Sequence, residues 1–121
     1  MNGNGEPPVD VEAFRATMRE GGIEEVVEPT LDLELFERET PIVFQRIRDA
    51  VSEQDSRGIS AGAHLLKSPS ANIRAHVLSE LLCRLERAGG AGDLDQVTEL
   101  MPSVETEYAS VMVFLAGIAT S

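Results

Sequence analysis

Apolar residues in this chain recur mostly every three or four positions, and no stretch shows convincing alternation with period two. That spacing builds helices and gives a sheet nothing to start from. Ile42, Val43, Phe44, Ile47, Ala50 and Val51 form one apolar stripe, which stops at the acidic residues Glu53 and Asp55. Thr40-Pro41 just before it reads as a helix start, with Thr as N-cap and Pro at the first helical position, where a missing N–H costs nothing. Asp55 or Ser56 caps the next helix, whose apolar face holds Ile59, Leu66, Ile73 and Val77. A third helix, from about Ala75 to Ala88, carries Leu78, Leu81, Leu82 and Leu85. Gly89-Gly90-Ala91-Gly92 reads as a loop. Asp93 then caps a last helix bearing Leu94, Val97, Leu100, Val104, Tyr108, Val111 and Leu115, with Pro102 as a place for a bend.

Upstream the pattern is weaker. Residues 1–8 hold two Gly, two Asn and two Pro without periodicity and read as a disordered lead. Asp10 offers an N-cap to Val11, Phe14 and Met18, a helix that Gly21-Gly22 ends. From Ile23 to Phe36 the apolar spacing is mixed around Pro29, which fits either one kinked helix or a turn followed by a helix. The expected fold is all-α: an antiparallel up-down four-helix bundle with an additional N-terminal helix, occupying residues 9–118, because short connections make consecutive helices antiparallel neighbours.

Composition narrows the function. A length of 121 residues fits one domain. Ten Lys and Arg against 21 Asp and Glu leave a charge of −11, which repels phosphate backbones and anionic lipid, so neither nucleic acid nor a membrane is the expected partner. Cys83 is the one cysteine and has no partner in the chain, which points to a reducing, cytoplasmic compartment. Among Leu81, Leu82 and Leu85 it reads as a buried, inert thiol. The longest apolar run, Val111 to Ala116, is far short of the ~20 residues of a bilayer span. MNGNGEPPVD lacks the features of a secretory signal. One Tyr, four Phe and no Trp argue against an aromatic-lined pocket, and the lack of a heptad seam favours a monomer.

On a wheel of about 100° per residue, His64 points away from the Ile59–Leu66–Ile73 stripe. Ser60 and Ser68 lie one turn to either side, Ala61 and Lys67 flank it, and Ala71 lies two turns on. Small neighbours leave the imidazole open to a large incoming partner, and Lys67 reaches the same space and can pair with an anion there. An exposed neutral imidazole is a nucleophile near pH 7, and attack on phosphorus also needs positive charge beside the phosphoryl oxygens. A carboxylate at helical spacing to orient the ring, a Gly-rich phosphate loop and a metal cluster are all missing. The parts are those of a phosphoryl acceptor rather than of a kinase or phosphatase.

Residues 62–86, GAHLLKSPSANIRAHVLSELLCRLE, resemble the histidine-containing phosphotransfer (HPt) domains of bacterial multistep phosphorelays. Ala63, His64, Leu66, Lys67, Ser70, Asn72, Ala75, Leu78, Leu81, Leu85 and Glu86 fall in register with that family's pattern, and LELFERETPIVFQRIRDAVSEQD (33–55) resembles its preceding helices. The resemblance extends from residue 10 to about 117. It implies that His64 is phosphorylated on the ring nitrogen distal to the backbone and that Lys67 steadies the phosphoryl group. It implies partners that are receiver domains of a hybrid sensor histidine kinase or of a response regulator, whose own acidic pocket supplies Mg²⁺, with no cofactor or metal on this chain. It also implies the four-helix bundle with a leading helix.

Docking is expected around Arg57, Ser60, Ala61, Leu65, Lys67, Ser68 and Ala71. The family pattern is broken at Ser68 and at Arg74, each in place of a Gly, and by Pro69, which removes a helical hydrogen bond. Gly58 and Gly62 lower the propensity of the His64 helix, for close helix packing or for partner access. His76 shares none of the small-residue ring and reads as a solvated residue, as a lone surface His usually does. The second reading is an HPt-like adaptor that binds a receiver or kinase without transfer; it gains if Pro69 swings Lys67 away from His64 or buries the ring. An enzyme in its own right is the weakest reading, since no acid–base pair converges.

Overall fold

The computed structural model describes residues 8–9 and 29–120. Four helices make up the fold: α1 Pro29–Ser52, α2 Ser56–Asn72, α3 His76–Gly90 and α4 Leu94–Thr120, with no strand among the described residues. Apart from Pro8, the expected lead lies outside the described residues, as does the helix expected over Val11–Met18. Val9 is fully buried in the core.

Helix α1 buries Leu33, Phe36, Thr40, Phe44, Ile47 and Ala50, one side of a 3.6-residue repeat. The expected restart at Thr40-Pro41 does not occur, because α1 runs straight through Pro41. Thr40 is buried, and its hydroxyl donates to the Phe36 carbonyl one turn back (2.7 Å) and meets the Tyr108 hydroxyl on α4 (2.9 Å). A hydroxyl bonded backward and across to another helix is not free to cap forward. Pro41 is exposed, so the N–H it lacks is missing on the solvent side of the helix.

Asp55 caps α2 as expected, its carboxylate accepting from the Gly58 N–H at 3.1 Å. Ile59, Ala63, Leu66 and Ser70 face the core, and Gly62 settles the earlier choice in favour of packing. A Cβ at Gly62 would stand 2.5 Å from Ile47 Cγ1, so α1 and α2 touch there only because the side chain is missing. The helix continues through Pro69, with Ser70 Oγ donating to the Leu66 carbonyl. A turn over Ile73–Ala75 follows, in which Arg74 has a φ of 63°. Val77 does not extend the α2 face: it stands beyond that turn on α3 and is 46% exposed.

Leu78, Leu82 and Leu85 of α3 are fully buried. The glycine tract read as a loop is half helix, since Gly89 and Gly90 finish α3 and Gly92, at φ 70°, turns the chain. Gly89 lies against α2, where a Cβ would come within 2.9 Å of the Ser60 backbone N and 3.1 Å of the Ser56 carbonyl oxygen. Asp93 caps α4 by accepting from the Gln96 N–H. Val97, Leu100, Val104, Tyr108, Val111 and Leu115 of α4 are buried, Leu94 is half-buried, and the helix passes through Pro102 unbroken.

Each helix packs on the next, and α1 packs on α4, around one continuous core. Of these four interfaces, α2–α3 is the most extensive and α1–α4 the thinnest. Among the described residues no helix is long and apolar enough to cross a membrane.

Candidate functional site

Close approach of α2 and α3 at Gly89 sets the register that builds the site. With Ser60 against Gly89, the chain one turn further along α2 faces α3 one turn earlier, and that brings His64 and Lys67 to Glu86. His64 Nδ1 lies 3.0 Å from Glu86 Oε2, and Lys67 Nζ donates to Glu86 Oε1 at 2.7 Å. The His64 side chain is 65% exposed, whereas those of Lys67 and Glu86 are 32% and 26% exposed.

Glu86 is held ionised. The Lys67 hydrogen bond lowers its pKa most, and the His64 contact adds to that against partial desolvation. The same bond to Glu86 raises the pKa of Lys67. An ionised carboxylate only accepts, so the proton of the His64–Glu86 bond is on Nδ1. In the neutral ring the lone pair is then on Nε2, the nitrogen distal to the backbone. Because Glu86 is depressed, its contribution to stability is present above the ordinary carboxylate range and is lost as pH falls through the lowered value.

The sequence contains no carboxylate at helical spacing to orient the ring, and the structure supplies one from the neighbouring helix. Glu86 was visible only as the last matched position of the 62–86 pattern, with no role attached. Its role depends on the α2–α3 register, for which Gly89 was the available signal.

A shallow groove of about 810 Å³ opens beside the imidazole, between the first turns of α2 and the end of α3. Arg57, Ser60, Ala61 and Leu65, all expected at a docking face, line it together with His64 and Glu86, and Gly89 to Gly92 close its far side. Leu65 is an exposed apolar side chain, 55% accessible. Ser68 and Ala71, expected on the same face, do not line the groove; Ser68 is exposed and Ala71 half-buried. Lys67 is turned to Glu86. Cys83 is half-buried rather than sealed in the core. His76 opens α3 ten residues before Glu86, about 15 Å along the helix axis, and joins no part of the site. Among the described residues no group of three His, Cys, Asp or Glu could hold a metal ion.

The sequence model of the Hpt domain matches residues 33–112, two thirds of the chain. The chain belongs to the Hpt domain family. Among solved structures, histidine-containing phosphotransfer protein B (HptB) from Pseudomonas aeruginosa PAO1 is similar in fold, with a TM-score of 0.75 and 21% identity over 92% of this chain and 93% of that one. No curated protein matches the chain. Hpt domains as a family are phosphocarriers of His–Asp phosphorelays.

Proposed function

We propose that this protein carries a phosphoryl group on His64 Nε2, accepting it from and returning it to receiver-domain aspartates. The observation that carries the reading is the Glu86 bridge. It fixes the tautomer that places a lone pair on the exposed nitrogen, and it holds a lysine beside the same ring. As the N–P bond forms, the ring gains positive charge, which the Glu86 carboxylate at Nδ1 offsets. Lys67 exchanges its carboxylate partner for a phosphoryl oxygen. The partner contributes the aspartate and the Mg²⁺; this chain contributes no cofactor and has no kinase or phosphatase activity of its own. The partner is a receiver of a hybrid sensor kinase or of a response regulator. The acting unit is a monomeric, cytoplasmic, antiparallel up-down bundle over residues 9–118 with an additional N-terminal helix.

The adaptor reading needed Pro69 to displace Lys67 or to bury the ring. With α2 continuous through Pro69, His64 exposed and both side chains on one carboxylate, nothing favours it. The test is incubation with receiver domains charged by acetyl phosphate, and separately with phosphoramidate. Acid-labile, alkali-stable label on this chain is expected from both, and absence of label from both overturns the reading.

Glu86 gives a finer expectation. Glu86→Gln keeps an acceptor for the Nδ1–H but removes the charge that offsets the ring, and should slow phosphoramidate labelling about tenfold, the rate equivalent of about 1.4 kcal/mol of charge-assisted hydrogen bonding.

A further inference from the structure

On the flanks of α4 the carboxylates find cations. Arg48 holds Glu105, and on α3 Arg84 reaches Glu80 one turn away. Glu107 is different. It is buried on α4, and its Oε2 has no hydrogen-bond partner. Burial raises its pKa, and no charged side chain of the described residues acts on it. A carboxyl taken from water is costly to ionise unless a cation pairs with it, and a buried polar atom without a partner is uncommon in a native fold.

A second, smaller cavity of about 300 Å³ opens at this residue between α3 and α4, and it shares no residue with the groove at His64. Leu81, Pro102, Ser103, Thr106 and Glu107 line it. Its surroundings favour positive charge, since α4 carries Asp95, Glu99, Glu105 and Glu107 but no Lys or Arg.

From this we infer that the α3–α4 cavity is a binding site for an alkylammonium group, with Glu107 as its counter-ion. A primary ammonium has three N–H donors, and the cavity offers three acceptor groups, the Glu107 carboxylate and the Ser103 and Thr106 hydroxyls. Leu81 and Pro102 give an aliphatic stem an apolar surface to lie on, as the stem of a lysine does. A guanidinium has five donors and leaves some of them unpaired here. A divalent metal ion is less suited still, because such ions take several oxygen ligands and among the described residues no group of three His, Cys, Asp or Glu could hold one. The inference is independent of the phosphocarrier reading, because the cavity and the groove have no residue in common.

The test titrates the isotope-labelled full chain with pentylammonium and follows it by NMR. Saturable shifts at Leu81, Ser103, Thr106 and Glu107 are expected, with a Kd of about 1–10 mM, ordinary for so small a ligand. The midpoint of the Glu107 carboxyl titration should move down when the ligand is bound, because a neighbouring cation favours the ionised form. Glu107→Gln keeps the shape of the side chain and should weaken binding at least about tenfold, the loss of one charge-assisted hydrogen bond. Ser103→Ala/Thr106→Val, which leaves the carboxylate in place, should weaken it as well. Glu99→Gln, an exposed change elsewhere on α4, should alter it less than about twofold.

No shift at these residues by about 100 mM ligand overturns the inference. So does equal binding by Glu107→Gln, or equal binding of 1-pentanol, which has the stem without the charge. Two further ligands separate the sources of such a group. Tighter binding of 1,5-diaminopentane assigns the cavity to free amines, and tighter binding of Nα-acetyl-lysine methylamide assigns it to a lysine side chain; either result, lost in Glu107→Gln, supports the site.

Discussion

His64→Gln is expected to abolish labelling by phosphoramidate and by charged receivers, a loss of at least about a thousandfold, because no other group replaces a covalent nucleophile. The glutamine amide can keep a hydrogen bond to Glu86, but an amide nitrogen has no lone pair free for phosphorus. The substitution is mild for the fold. The His64 side chain is 65% exposed and its bond to Glu86 lies at the surface, so stability should change by no more than about 0.5 kcal/mol. Loss of label with an unchanged melting curve therefore reads chemistry alone. His76→Gln, on exposed His76 at the other end of α3, is the matched control and should label like the wild type. Label persisting on His64→Gln would move the acceptor elsewhere.

Phe44→Ala has the largest expected effect on stability, a cost of about 3–5 kcal/mol. Phe44 is fully buried and stacks on Tyr108 with ring centroids 4.1 Å apart and planes 13° apart. The Arg48 guanidinium covers the ring at 4.5 Å while it holds both carboxylate oxygens of Glu105 at 2.9 Å. These contacts and the Thr40–Tyr108 hydrogen bond close the thinnest of the four interfaces around the core, α1 on α4. Removing the ring leaves a cavity at the seam and takes the stacking partner from Tyr108 and the cation–π partner from Arg48. Against a usual domain stability of about 5–15 kcal/mol, the variant should unfold at a clearly lower denaturant midpoint. Phosphoramidate labelling should survive under folding conditions, since His64, Lys67 and Glu86 are on the α2–α3 pair. A shift below about 1 kcal/mol would show that the seam is held by something else.

The sequence by itself determined most of the helices and the exposed position of His64. Three of the four described helices follow from apolar spacing and from the caps at Asp55 and Asp93, both of which accept the expected backbone N–H. The exposure of His64 followed from a wheel alone, because a helix fixes which side a residue takes before anything packs on it. The 62–86 pattern named the family on the same residues.

Where local signals misled, a tertiary contact had the stronger claim. Thr40-Pro41 carries every mark of a helix start, yet the Thr40 hydroxyl bonds Phe36 and Tyr108, and the second of those partners is 68 residues away. The Gly89-Gly90 pair looks like a loop until α2 packs against it. Arg74, which departs from a family glycine, takes the left-handed φ of 63° that explains why glycine is usual there.

Glu86 was decided only in three dimensions. Sequence spacing shows which residues share one helix face, but not which residues of two helices meet. That depends on how closely the backbones approach, and here a missing Cβ at Gly89 sets the approach that brings Glu86 under His64 and Lys67.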